Sequence, residues 1–485
     1  MARTARASAL HLPSDMGREP EAIAAAVVEE IAAGRLDRGD PLPSTRALAA
    51  QTGVPRSAVV SAYDVLLAAG IIETTPGSGA TVVVDQGVAR SATGVGAAPR
   101  RPRERLRPNV VRPERDVPHR VRFNLMPGAP DVSLIREREW RQAWRSATAS
   151  VPELDWYHPM SHPALQGALV AHLRQMRGIA TEAHDVVIFP GVSAAVHAVT
   201  HALRPRSAAM EDPGYPMARI PLQHNVARVD LILVDDHGMQ VERLDRQELV
   251  YVTPAHQFPL GGRMPVTRRE QLLRWASATG AVIIEDDFDG EYRHDSAPLG
   301  PLRSMASGQE SVVYIGTASK VLTPHLRLAW AVVPPWMSEA VRVAGTTLRT
   351  DASLIASDAL AHLIGNGGLS RHLARAQRTY AARRRRLVAA LAQHLPEVEL
   401  VGVEAGIHVA VRWRDDTVRD SDVAAECAAR GIALAPLSAY AAQHLANGLL
   451  LGYAQLPETQ ADAVVAEIAE ALEVVRQGRR TPVSP

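Results

Sequence analysis

Short apolar runs recur through the middle of this 485-residue chain, at 186–189, 208–210, 231–234, 249–252, 281–284, 312–315 and 328–333, and they alternate with stretches of helical spacing. Runs that are apolar at nearly every position, rather than at alternate ones, read as strands buried on both faces. Strands joined by helical connections instead of tight hairpins imply a mostly parallel sheet with helices packed on both sides. Ligands bind such α/β sheets at the carboxyl ends of the strands, so the residues that follow each run are the candidates for chemistry.

The run at 312–315 leads into Gly316-Thr-Ala-Ser-Lys320, with Pro324 and Arg327 close behind. Gly316 and the small residues after it let the backbone turn close to a ligand. A lysine amine forms a Schiff base with an aldehyde when apolar surroundings or a nearby cation keep it neutral. Thr317, Ser319 and Arg327 add two hydroxyls and a guanidinium, a set suited to a phosphate. An aldehyde that carries a phosphate describes pyridoxal 5′-phosphate (PLP). Gly191-Val-Ser-Ala-Ala195 opens a helix after the first run, so its amides, its dipole and the Ser193 hydroxyl also suit a phosphate. Ile283-Ile-Glu-Asp-Asp-Phe-Asp-Gly290 brings carboxylates to another strand end. Pairing one of them with a pyridine nitrogen would keep that nitrogen protonated and the ring an electron sink.

The segment from Gly316 to Arg327 resembles the lysine motif of fold-type I aminotransferases, most closely the version in MocR/GabR-type transcriptional regulators. The resemblance makes Lys320 the Schiff-base lysine and Asp286, first of the acidic pair, the partner of the pyridine nitrogen. Glu211-Asp-Pro-Gly-Tyr-Pro216 puts Tyr215 where the family stacks an aromatic ring on the pyridine, and Thr253-Pro-Ala-His-Gln-Phe-Pro-Leu-Gly261 puts His256 near the cofactor. No partner lies at ligand spacing from His256, so no metal is expected. Four positions depart from the pattern. Val192 stands where the phosphate loop has a hydroxyl. Phe288 replaces a tyrosine that reaches the cofactor's phenolic oxygen, a hydrogen bond of roughly 1.5–3 kcal/mol. Trp156, aligned through His162-Pro-Ala-Leu165, replaces a tyrosine that reaches the phosphate of the neighbouring subunit, so the resemblance implies a homodimer with shared sites. Leu450 takes the place of the arginine that clamps a substrate carboxylate in active aminotransferases, which argues against efficient transamination.

Near the N-terminus the spacing of Ile23, Val27 and Ile31 predicts a helix ended by Gly34; Ser44 caps a second helix, and after Gly53 a third opens at Pro55. Residues 71–83 read as two strands around a Pro76-Gly-Ser-Gly79 tip. Helix, tight turn, helix and hairpin resemble the GntR-type winged helix. By that resemblance the third helix enters the major groove of double-stranded DNA with Arg56, Ser57 and Ser61. Arg46 contacts the backbone or a guanine, and the wing residues Gly77, Ser78 and Gly79 approach the minor groove. Ser57 and Ala58 stand where the family has Asn-Thr, which shortens the reach for hydrogen bonding.

Together these readings divide the chain into a winged helix at 17–84, a Pro/Arg-rich linker at 85–120 and an aminotransferase-like domain at 121–478. The last has a large part at about 150–335 and a smaller α+β part at about 336–478. The arginines at 383–386 read as a solvated helix face. A net charge of +1 leaves any DNA-binding surface to local patches, and the single cysteine, Cys427, excludes an intrachain disulfide. With no secretory leader near Met1 and no membrane-length apolar run, a cytoplasmic protein is expected. The reading is a DNA-binding regulator whose aminotransferase-like domain binds PLP as an imine with Lys320 and senses an effector there, with an amino-acid-like molecule as the candidate. Two alternatives stay open: an active aminotransferase with a DNA-binding appendage, and a DNA-binding dimer that has lost PLP.

Overall fold

The computed structural model describes Leu10, Leu12 and residues 18–75, 79–92, 121–149, 151, 160–293, 299–402, 405–415, 417–443 and 447–480. The chain divides into two compact units, residues 1–112 and 113–485.

The first unit holds α1 (Pro20–Ala32), α2 (Thr45–Thr52), α3 (Arg56–Ala68), β1 (Ile72–Thr75), β2 (Gly79–Val82) and α4 (Gln86–Ala92). Ile23, Val27 and Ile31 point into its core at 0% exposure, each contributing about 1.5–3 kcal/mol by leaving water. The Ser44 Oγ accepts from Ala47 N at 3.2 Å and caps α2, and Gly53, at φ +69°, ends it in the left-handed region that glycine tolerates. Tyr63 donates its hydroxyl to the Pro43 carbonyl at 2.8 Å, fixing α3 against the loop that precedes α2. The strands β1 and β2 pair antiparallel, Ile72 opposite Val82. Residues 86–92, read above as the start of the linker, are helical. Ala89 is buried in the winged-helix core, and Arg90 donates to the Ala32 carbonyl. A seven-residue helix anchored by Ala89 is too short to show an apolar period.

The second unit runs β3 (Phe123–Asn124), α5 (Glu137–Ala147), α6 (Pro163–Arg177), β4 (Val186–Phe189), α7 (Val192–Leu203), β5 (Ser207–Asp212), α8 (Pro216–Asn225), β6 (Arg228–Asp235), β7 (Gly238–Met239), β8 (Leu249–Val252), α9 (Val266–Thr279), β9 (Val282–Asp286), β10 (Val312–Thr317), α10 (Ala318–Val321), β11 (Ala329–Val332) and α11 (Pro335–Thr347). Strand order in the eight-stranded sheet is β4-β11-β10-β9-β8-β5-β6-β7. The five neighbours from β10 to β6 are parallel, and β11 and β7 pair antiparallel. The mostly parallel α/β sheet expected from the apolar runs is therefore present. Its two faces belong to different cores: Val186 and Ile188 of β4 pack into one cluster, Val187 and Phe189 into the other.

Beyond it lie α12 (Leu354–Gly365), the 27-residue α13 (Gly368–His394), β12 (Glu399–Val401), β13 (His408–Arg412), α14 (Asp420–Ala429), β14 (Ile432–Ala433), β15 (Ala435–Pro436), β16 (Gly448–Gly452) and α15 (Ala461–Arg480). Strands β12-β13-β16-β15 form an antiparallel sheet, and β14 pairs with β3. The arginine run on α13 is more than a solvated face. Arg383 donates to Asp131 at 2.7 Å, and Arg386 pairs with Asp462 on α15. Among the described residues no helix is long and apolar enough to cross a membrane.

Candidate functional site

Parallel strands leave their carboxyl ends on one edge of the sheet, and β5, β8, β9 and β10 deliver their following residues there. Lys320 sits on α10, directly after β10, and its Nζ donates to the Gly128 carbonyl at 2.9 Å. Gly128 has φ +73°, and a side-chain carbon there would overlap the amine, so this glycine makes the close approach possible.

Asp286, the last residue of β9, is 2% exposed. Its Oδ2 accepts from the Tyr251 hydroxyl on β8 at 2.5 Å, and its Oδ1 is buried without a hydrogen-bond partner. Burial pushes the carboxyl up to about 7; the Tyr251 hydrogen bond and the Lys320 charge pull it down, while Asp287 pushes it up. The neighbouring carboxylate is supplied differently. Asp287 forms an ion pair with Arg177 and accepts from the Tyr314 hydroxyl at 2.8 Å. Both acids keep a buried Oδ1 without a donor, but only Asp287 has a guanidinium from the chain itself, so Asp286 is the carboxylate that still lacks a cationic partner.

Around α7 the groups suited to a phosphate gather in part. Gly191 caps the helix at φ +156°, a conformation for glycine, and a side-chain carbon there would stand 3.5 Å from Arg327 Nη2. Arg327 itself is at φ +52°. Ser193 is exposed, while Val192 and Ser319 are half-buried. The Thr317 hydroxyl is engaged within the fold, accepting from Ser319 N at 3.1 Å and donating to the Leu328 carbonyl at 3.3 Å.

Tyr215, half-buried at the start of α8, meets Phe258 edge-on with centroids 5.6 Å apart. Phe258 continues to Phe288 at 5.6 Å and to Tyr440 at 5.1 Å. Phe288 thus packs in an aromatic group with no hydroxyl of its own to offer. Leu450 is fully buried on β16, opposite Ala410 and Ala435, in the same apolar cluster as Phe258, Phe288 and Leu437. The Asp212 carboxylate accepts from Ala442 N at 2.8 Å and Gln443 N at 3.1 Å, which fastens the segment after Tyr440 to the end of β5. Trp156, Gly77 and Ser78 lie outside the described residues.

His256 has partners that spacing along the chain did not reveal. Its Nδ1 bonds to Asp289 at 3.0 Å, and donor atoms of His256, Asp289 and His408 come within 4.8 Å of one another, all buried. His408 Nε2 donates to the Pro259 carbonyl at 3.1 Å, and burial next to His256 pushes its imidazole well below the usual range. The hydrogen bond to Asp289 satisfies His256 Nδ1 without an ion. Sequence reading also missed Tyr251 and Gly128. Tyr251 looks like one more member of an apolar strand, and a Pro-Gly pair was the only signal at Gly128.

In the first unit, Arg56, Ser57 and Ser61 are exposed along the N-terminal half of α3, and Arg46 is exposed on α2. Gly79 is exposed at the start of β2 with φ +88°.

Residues 20–82 match the family model described as bacterial regulatory proteins, gntR family. The chain is 32% identical over 471 residues to the HTH-type pyridoxine biosynthesis transcriptional regulator PdxR of Corynebacterium glutamicum, covering 94% of this chain and 97% of that one. It belongs to the MocR-type family of transcriptional regulators. A second member, the probable rhizopine catabolism regulatory protein MocR of Rhizobium meliloti, is also 32% identical, over 448 residues and 90% of each chain. The aminotransferase fold of the MocR-type chain is seen in its likeness to the α-aminoadipate aminotransferase LysN of Thermus thermophilus, solved with N-(5′-phosphopyridoxyl)-L-leucine. That likeness has a TM-score of 0.67 at 22% identity and covers 73% of this chain and 93% of that one.

Proposed function

We propose that this MocR-type regulator binds PLP at the strand ends of its second unit, and that PLP occupancy sets how its winged helix holds an operator in double-stranded DNA. The single observation that carries the cofactor reading is the buried Asp286 carboxylate, whose Oδ1 has no donor and which, unlike Asp287, has no guanidinium paired with it among the described residues. A buried carboxylate oxygen without a donor is costly, and a pyridinium N–H is the donor that would satisfy it. Gly191 beside Arg327 gives a second fit, leaving room next to a guanidinium at a helix N-terminus for a phosphate.

In this reading Lys320 supplies the amine that captures the aldehyde, and Tyr215 stacks on the ring. Arg327, Ser193 and the amides that open α7 hold the phosphate, with Ser319 near them. Thr317 orders the turn, since its hydroxyl caps α10 and reaches Leu328. Bound there, PLP offers an aldehyde for amine capture and an electron-withdrawing ring. Asp212 would help shape the site by fastening the segment after Tyr440 to the end of β5. The apolar cluster around Leu450 supplies no guanidinium for an α-carboxylate, which favours sensing over turnover of amino acids. A homodimer in the cytoplasm, with an amino-acid-like effector as a further ligand, completes the proposal. Ligand would act by binding one arrangement of the two units more tightly than another.

An absorbance titration with PLP tests this. A visible band that forms in the wild type and is absent in Lys320→Ala supports it, and footprinting on the upstream DNA with and without PLP should then differ. Absence of any band from the wild type would sink the cofactor reading. Steady conversion of amino and keto acids would favour the enzyme instead.

A further inference from the structure

Strands β8 and β10 flank β9, and each gives one tyrosine hydroxyl to one of the two successive aspartates at its end: Tyr251 to Asp286, Tyr314 to Asp287. The tyrosines belong to different cores, Tyr314 to the cluster that includes Val186 and Ile188, Tyr251 to the one that includes Val187 and Phe189. The two carboxylates are thus served from opposite faces of the sheet. On the Asp287 side Arg177 adds a buried guanidinium to the same Oδ2 that accepts from Tyr314, so that carboxylate has a counter-charge from the chain although its Oδ1 is open too. On the Asp286 side the tyrosine bond is present, Oδ1 is open, and no guanidinium pairs with the carboxylate among the described residues.

We infer that Tyr251 is a positioning residue for the cofactor ring: its hydroxyl holds Asp286 ionised and turned so that Oδ1 faces the pyridine nitrogen. This inference rests on the PLP-binding reading above. In a fully buried site a proton shared between a carboxylate and a pyridine nitrogen can sit on either partner. Burial favours the neutral pair, and a hydroxyl donating to the far carboxylate oxygen stabilises the ionised one. The donor also fixes the carboxylate plane, since Asp286 has no other hydrogen-bond donor on its carboxylate among the described residues. Tyr251 is fully buried and its phenol is held well above its usual range, first by burial and then by Asp286, so it acts as a donor throughout the working pH range. Phe288 supplies no hydroxyl to the ring, which leaves the nitrogen side as the polar anchor for its orientation.

The test uses the full-length protein loaded with PLP labelled with 15N at the ring nitrogen. In the wild type the nitrogen resonance should fall at the pyridinium position. In Tyr251→Phe it should move toward the neutral, hydrogen-bonded pyridine position, and PLP should bind about tenfold more weakly or worse, the loss expected for a hydrogen bond to a charged group. Site-specific incorporation of 3,5-difluorotyrosine at 251, a stronger donor of nearly the same volume, should move the nitrogen resonance further to the pyridinium side and tighten PLP binding, which reads the role of Tyr251 where Tyr251→Phe fails to fold. A nitrogen resonance and PLP affinity identical to the wild type in each replacement that folds overturn the role of Tyr251 and leave PLP binding intact. If the wild type takes up no label, both this inference and the cofactor reading fall.

Discussion

Lys320 Nζ donates to the carbonyl oxygen of Gly128 at 2.9 Å, across 192 residues of sequence. The contact requires a residue without a side chain, because Gly128 lies in the left-handed region and any Cβ would overlap the amine. Gly128→Ala should therefore act twice. It should cost about 1 kcal/mol through the backbone conformation, and it should displace the Lys320 amine. The expected outcome is an intact fold by circular dichroism with PLP uptake reduced at least tenfold in an absorbance titration. Uptake equal to the wild type would show that the glycine is irrelevant to the lysine.

Burial pushes three carboxyls at the strand ends, Glu211, Glu285 and Asp286, up to about 7. In the unfolded chain these groups ionise near 4. Between pH 4 and 7 the folded state therefore binds more protons than the unfolded one, and stability falls as pH rises through that window. For Asp286 alone the upper limit is ~4 kcal/mol. PLP-free protein should melt at a higher temperature at pH 5.5 than at pH 7.5. Asp286→Asn should flatten that slope, and saturating PLP should reduce it by pairing the ionised carboxylate. A melting temperature that rises over the same window would contradict the burial of these groups.

The contrast between Lys320 and Tyr251 shows what the sequence exposes. Lys320 could be read because its companions, Thr317, Ser319 and Arg327, lie within a few positions and share one turn. The winged helix was legible for the same reason, since the Ser44 cap, Gly53 and Pro55 mark helix ends by local chemistry. Tyr251 was not. Within Leu249–Val252 it fits a buried strand, and its partner Asp286 lies 35 residues on, reached only once β8 and β9 pair with Tyr251 opposite Ile284. His408 joins His256 across a still longer interval, from the antiparallel sheet of the smaller part. Spacing rules for metal ligands could not detect that neighbour, which is why His256 read as solitary.

Arg177 and Asp287 form an ion pair with side-chain exposures of 3% and 0%, reinforced by Tyr314. Removing one member leaves a buried charge unpaired, which costs about 3–5 kcal/mol. Arg177→Met should lower the unfolding free energy of the second unit by that amount, read from its denaturation curve. Arg177→Met combined with Asp287→Asn should recover part of the loss, because the stranded charge is gone. Equal losses in the single and double variants would mean that the ion pair does not carry this part of the stability.

Arg56 and Ser44 separate DNA contact from folding in the winged helix. Arg56 is exposed at the first position of α3, so Arg56→Ala should leave thermal stability within about 0.5 kcal/mol. Its effect should appear on DNA. Loss of a base contact would cost about 1–3 kcal/mol on the preferred sequence, whereas loss of a phosphate contact would weaken all sequences and reduce the slope of log K against log salt by about 1. Ser44→Ala should do the reverse, removing the cap bond to Ala47 N and about 1 kcal/mol of stability while leaving the salt slope alone. Titrating both variants against an upstream DNA fragment at several salt concentrations distinguishes these effects. Binding by Arg56→Ala that matches the wild type at every salt would remove α3 as the reading helix.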